Sequence, residues 1–194
     1  MELNDTQKQT LLAVAKASIE HGFRTGRPLQ GVRSEDDRLN EPGAAFVTLN
    51  RHGQLRGCIG SLQAYRPLIE DVADNAFNAA FRDPRFAPLS EAETEGLTVE
   101  VSVLTPPEPI PDCATADDLL RQLVPFEDGL IIDDGVHRAT FLPSVWEQLP
   151  DKVQFLTHLM AKAGMRGWSP TMRCWRYHTL KFEAPWAGIP PLSE

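Results

Sequence analysis

No excess of basic residues is present. Nineteen Lys and Arg face 27 Asp and Glu, for a formal charge of −8. A general nucleic-acid binder or an anionic-membrane binder neutralises phosphates with a positive surface, so both classes are disfavoured. Cysteine is scarce: Cys58, Cys113 and Cys174 are an odd, widely spaced set. They do not form a disulfide framework, and a reducing, cytoplasmic setting is expected. Apolar runs long enough to span a bilayer are missing, and the opening residues lack the cationic and apolar parts of a signal peptide. Also missing are a Gly-rich phosphate loop, a Gly-x-Ser-x-Gly elbow and a His-Glu-x-x-His zinc helix. Standard hydrolase and nucleotide-binding readings therefore find no support, and neither a metal nor a cofactor is assigned.

What is present suits one soluble α+β domain spanning 1–194, since 42% apolar residues can bury a core at this length without staples. A helix is expected over 4–21, capped by Asn4 or Asp5 and stopped by Gly22. Residues 26–43, polar and rich in Gly, Pro and Arg, form a long surface connection. Residues 45–50 and 55–61 alternate as a hairpin around Arg51-His52-Gly53-Gln54. Pro67 opens a second helix that ends before Asp83-Pro84, and 97–104 is a strand with Val99, Val101 and Val103 inward. Thr115 and Asp118 cap a helix over 116–124. Residues 130–142 make a second hairpin through Asp134-Gly135, and Pro143 begins a short helix. Another helix runs from Asp151 to Gly164, and 173–182 is a last strand. Because the strand pairs are hairpins, the sheet is expected to be mainly antiparallel, with helices packed on it.

Period-two alternation groups the polar residues. Arg56, Cys58 and Gly60 fall on one face of their strand; Glu100 and Ser102 fall on the polar face of another. Gly57 and Gly60 weaken a strand and imply a bulge or a close backbone approach. If the two strands adjoin, Arg56, Cys58, Glu100 and Ser102 form a polar cluster. A guanidinium near a thiol favours the nucleophilic thiolate, and a carboxylate can accept a proton or simply hold the guanidinium. The bland alternative is a small buried cysteine beside a surface ion pair. Arg85 has two readings as well: it pairs with a nearby acid, or it reaches the site and grips a carboxylate or phosphate. The run from Lys152 to Phe182 holds no Asp or Glu, and Arg166, Arg173 and Arg176 interleave there with Trp168, Trp175 and Tyr177. That composition suits a docking surface or ordinary strand packing.

Several segments resemble the AMMECR domain family in order. They include Gly43-Ala-Ala-Phe-Val-Thr-Leu-Asn50, Gly53-Gln-Leu-Arg-Gly-Cys-Ile-Gly60, Pro67-Leu68-Ile-Glu-Asp-Val, Asp83-Pro84-Arg85-Phe86-Ala-Pro88 and Val99-Glu100-Val-Ser102-Val-Leu-Thr-Pro106-Pro107. Phe141-Leu142-Pro143 and Lys162-Ala163-Gly164 continue the series, so the resemblance covers about 5–185. It implies a two-lobed α+β domain similar to the protein A component of the AmmeMemoRadiSam system. It also implies Memo-like and radical S-adenosylmethionine proteins as partners. It brings no settled reaction. Two functions follow as expectations. One is an enzyme or enzyme subunit using Cys58 with Glu100 and Ser102, with Arg56, Gly57, Gly60 and Arg85 binding a small anionic substrate. The other is a non-catalytic module that docks a partner or metabolite.

Overall fold

The computed structural model describes residues 1–193. In chain order the elements are α1 (Asp5–Thr25), α2 (Asp37–Asn40), β1 (Pro42–Gly43), β2 (Ala45–Arg51), β3 (Gln54–Gly60), β4 (Arg66–Pro67), α3 (Leu68–Phe81) and β5 (Leu97–Leu104). They continue with β6 (Glu108–Pro109), α4 (Ala116–Gln122), β7 (Gly129–Asp133), β8 (Arg138–Phe141), α5 (Lys152–Ala163), β9 (Arg173–Tyr177) and β10 (Thr179–Pro185). Short 3-10 turns cover Glu91–Thr94, Pro143–Glu147 and Trp186–Gly188. The strand pairs β1–β4, β2–β3, β2–β5, β6–β9, β7–β8 and β7–β9 are all antiparallel. This is the expected α+β class.

The chain divides into two compact units. One joins Met1–Leu104 to the segment from Leu180 on; the other is Thr105–Thr179. In the first, the sheet has the order β10-β5-β2-β3. Val47, Leu49, Val99, Val101 and Val103 are fully buried on one sheet face, in one core with Leu11, Ile19, Val72 and Ala76 of the helices. Side chains one residue along the strands necessarily point the other way. In the second, the sheet has the order β6-β9-β7-β8, and Leu130, Ile132, Trp146, Phe155 and Leu159 form its core. Trp146 and Phe155 stack with ring centroids 3.7 Å apart.

Local signals explain most boundaries. Asn4 accepts from the Gln7 amide at 2.8 Å while the Gln7 side chain accepts from the Asn4 amide at 2.9 Å, a reciprocal cap. Thr115 with Asp118 does the same for α4, and Asp151 caps α5 through the Gln154 amide. His52 and Gly53 both have positive φ, at 51° and 79°, as a two-residue hairpin loop requires.

Two expectations are corrected. Gly22 does not stop the first helix: α1 runs on to Thr25 and ends at Gly26 in the left-handed region, φ 70°. Gly22 is buried instead where the Phe77 and Phe81 rings of α3 lie against it, so its role is close packing. The expected last strand is two, β9 and β10, parted at His178 and belonging to different sheets. His178 is pinned there by Thr105, whose amide donates to the His178 carbonyl and whose Oγ1 accepts the His178 amide, each at 2.8 Å.

Candidate functional site

The polar face of the first unit's sheet is set by register. Thr48 of β2 stands opposite Cys58 of β3 on one side and Glu100 of β5 on the other. Cys58, Thr48 and Glu100 therefore cross the sheet in one row. The next row is Gly60, Phe46 and Ser102. The Cys58 Sγ lies 3.1 Å from Thr48 Oγ1, and Ser102 Oγ donates to Glu100 Oε1 at 3.4 Å. Alternation thus brings Cys58, Gly60, Glu100 and Ser102 onto one face. Cys58 is half-buried, whereas Cys113 and Cys174 are buried.

The strand carrying Cys58 is anchored from its outer edge. The Cys58 amide donates to Asp83 Oδ2 at 3.0 Å. The same oxygen accepts Arg85 Nη2 at 2.8 Å, and Asp83 Oδ1 accepts the Arg85 amide and Nε, each at 3.0 Å. Four donors on one buried carboxylate, chief among them the Arg85 guanidinium, outweigh the desolvation penalty and hold Asp83 far below the usual carboxylate range. Arg85 keeps 55% of its side-chain surface in solvent, and its Nη1 has no hydrogen-bond partner among the described residues. Arg85 thus pairs with a nearby acid, and that acid also accepts the backbone amide of Cys58.

Arg56 is placed differently from its strand neighbours. The β2–β3 register shifts between Leu49, opposite Gly57, and Asn50, opposite Leu55, so Arg56 is the extra residue of a bulge. Its Nε donates to Glu93 Oε2 at 2.7 Å, and its Nη2 donates to Glu93 Oε1 at 3.1 Å and to the Ala87 carbonyl at 2.8 Å. The guanidinium also lies 5.7 Å from the Phe86 ring centroid. Its carboxylate partner is therefore Glu93 of the 3-10 turn rather than Glu100. The bonded Arg56 guanidinium holds the Glu93 carboxyl down at about 2, against the cost of burial. Among the described residues the Arg56 Nη1 is buried without a hydrogen-bond partner.

Gly57 and Gly60 do separate jobs. A Cβ on Gly57 would stand 2.0 Å from the Ala79 carbonyl oxygen, so its bareness lets α3 close on the sheet. A Cβ on Gly60 would strike the Phe46 ring at 2.2 Å, so the ring occupies that space on the polar face. Sequence reasoning missed Thr48, Phe46, Asp83 and Glu93. Thr48 and Phe46 were available from the same alternation that placed Cys58. Asp83 marks only the end of a helix in the sequence, and Glu93 carries no local signal that it meets Arg56. In the second unit, Trp168 and Tyr177 serve packing: Trp168 Nε1 donates to the Cys113 carbonyl at 3.2 Å, and Tyr177 is buried with its hydroxyl on Thr140 at 2.9 Å. Among the described residues no three His, Cys, Asp or Glu side chains converge as metal ligands would. No described helix is long and apolar enough to cross a membrane.

An antiparallel α+β scaffold whose first sheet presents a half-buried thiol in a row with a hydroxyl and a carboxylate is the class that fold and site define. The AMMECR1 family model matches residues 12–182, and the chain belongs to the AMMECR1 family. A protein of Methanothermobacter thermautotrophicus is 36% identical over 186 residues, covering 93% of this chain and 95% of its own. Protein PF1979 of Pyrococcus furiosus is 36% identical over 169 residues, covering 84% and 80%. The crystal structure of the uncharacterized protein PH0010 from Pyrococcus horikoshii superposes with a TM-score of 0.80 at 31% identity, over 98% of this chain and 97% of that one.

Proposed function

We propose that the polar face around Cys58 is a reaction site for a small anionic substrate, with Cys58 as nucleophile or redox thiol. One observation carries this reading: a single oxygen of Asp83 accepts both the Cys58 amide and the Arg85 guanidinium. That shared oxygen keeps a cation, its Nη1 unbonded among the described residues, beside the strand that carries the half-buried thiol. An anionic substrate can then be held by Arg85 while its reacting atom meets Sγ. Thr48 hydrogen-bonds the sulfur, and Glu100, one strand further along the row, is the carboxylate available to take a proton. Arg56, engaged by Glu93, shapes the wall instead of gripping the ligand.

Paired alkylating agents test this. Iodoacetate and iodoacetamide differ in charge, so a guanidinium beside the thiol favours the anionic reagent. At pH 6–7 the native protein should be labelled at Cys58 with pseudo-first-order kinetics. Arg85→Ala should lower the iodoacetate-to-iodoacetamide rate ratio about three- to fivefold, the effect of one charge a few ångströms away in a wet site. The reading is lost if Cys58 reacts only after unfolding, or if the ratio ignores Arg85.

A second reading has its own support. Trp175 has the guanidiniums of Arg138 and Arg173 at 5.5 and 5.7 Å from its ring centroid, an arrangement common where proteins dock. In that role the chain is the protein A partner of Memo-like and radical S-adenosylmethionine proteins. Co-purification from a native lysate that persists in Cys58→Ser and is lost in Trp175→Ala would favour it.

A further inference from the structure

Two thiols remain that the Cys58 site does not use. Cys113 and Cys174, far apart in sequence, lie in the core of the Thr105–Thr179 unit. Pairing of β6 with β9 brings them together: Pro109 stands opposite Trp175, and the Ile110 amide donates to the Cys174 carbonyl at 2.8 Å. The segment that follows runs back along β9. It places the Cys113 Sγ 3.6 Å from the Ile110 carbonyl and 3.8 Å from that of Met172, two residues before Cys174. Met172 and Cys174 are both buried while Arg173 between them is exposed, so the Cys174 side chain lies on the same side of its segment as Met172, in one buried cluster with Cys113. Trp168 holds the Cys113 backbone from outside through its indole N–H.

Thiols packed this way have little to gain from their hydrogen bonds, because S–H is a weak donor and sulfur a weak acceptor. Joining them removes both S–H groups and leaves an apolar bridge in an apolar core. We propose that Cys113 and Cys174 are a redox pair that closes to an intramolecular disulfide on exposure to a hydroperoxide. Cys113, 8% exposed against 2% for Cys174, is the sulfur that meets the oxidant. Its thiolate attacks one peroxide oxygen, the O–O bond breaks, and the departing hydroxide takes up the thiol proton and leaves as water. Cys174 then attacks the sulfenic sulfur; the S–O bond breaks and a second water leaves. Two thiols have given up two electrons, and one hydrogen peroxide has become two waters. Burial pushes the Cys174 thiol up, which disfavours it as the thiolate that meets the oxidant first. The closed bridge would tie the start of the segment before α4 to β9.

The test uses the folded wild-type chain. Hydrogen peroxide is added and quenched, free thiols are alkylated in denaturant, and peptides are mapped without reduction. One linked pair joining Cys113 to Cys174, lighter by two hydrogens and released by dithiothreitol, is the expected product, with Cys58 recovered outside it. Cys58→Ser should yield the same bridge, which separates this result from the Cys58 reading. Linkage through Cys58, bridges only between molecules, or sulfinic acid at Cys113 with no bridge would each overturn the proposal.

Discussion

Arg56 and Glu93 form a largely desolvated ion pair, because each removes the other from water. The Arg56 side chain is 13% exposed and that of Glu93 27%. Glu93→Gln keeps the shape and an acceptor oxygen but leaves the guanidinium without a counter-charge. It should cost about 1–2 kcal/mol in urea unfolding at neutral pH. The pH dependence has a defined sign. Glu93 titrates near 4.5 in the open chain and near 2 when folded, so its contribution is full above the first value and fades as pH falls toward the second. Stability curves of the wild type and Glu93→Gln should therefore converge between those two pH values; parallel curves would refute the pairing. At this scale alternation foretold that Cys58, Gly60, Glu100 and Ser102 share a face. It could not foretell where Arg56 would point, because period-two reasoning fails across a bulge. The glycines beside Cys58 did signal irregularity, and both a bulge and a close approach are found there.

Elements were more legible than residues. The hairpin of β2 and β3, the valine-lined β5 and the capped helices α4 and α5 follow from turn residues and caps that act within a few positions of themselves. The two errors have a common origin. Gly22 and His178 answer to partners far away in the chain, the phenylalanines of α3 and the hydroxyl of Thr105, which no local window contains. Gly57 shows the same dependence in a testable form. Ala at that position must push against a backbone carbonyl of α3, which cannot turn aside as a side chain can. Gly57→Ala should cost about 2 kcal/mol, and Gly60→Ala, which meets a ring able to move, should cost less. An equal or inverted order in denaturant titration would show that α3 does not rest on that carbonyl contact.

Across the whole molecule, two hydrophobic cores divide the stabilising burial. Phe155 is fully buried and stacked on Trp146 in the second core. Phe155→Ala should remove about 3–5 kcal/mol there. Native-state hydrogen exchange should show amides of Thr105–Thr179 losing more protection than those of α1, β2 and β5. Uniform loss would mean the cores open as one. Of the two crossings between these units, the first is marked by Pro106, Pro107 and Pro109, while the return at Thr179–Leu180 lies inside strand-like sequence with no change of composition.

The order of the strands bears on biosynthesis. β10 lies beside β5, yet it is encoded after every element of the second unit, and Leu180, Phe182, Ala184 and Trp186 arrive with it to finish the first core. A ribosome delivering this chain must therefore hold an N-terminal unit with one flank of its sheet open until the inserted unit has emerged. A nascent chain halted before Leu180 should be a preferred chaperone client, and one released after Ile189 should not.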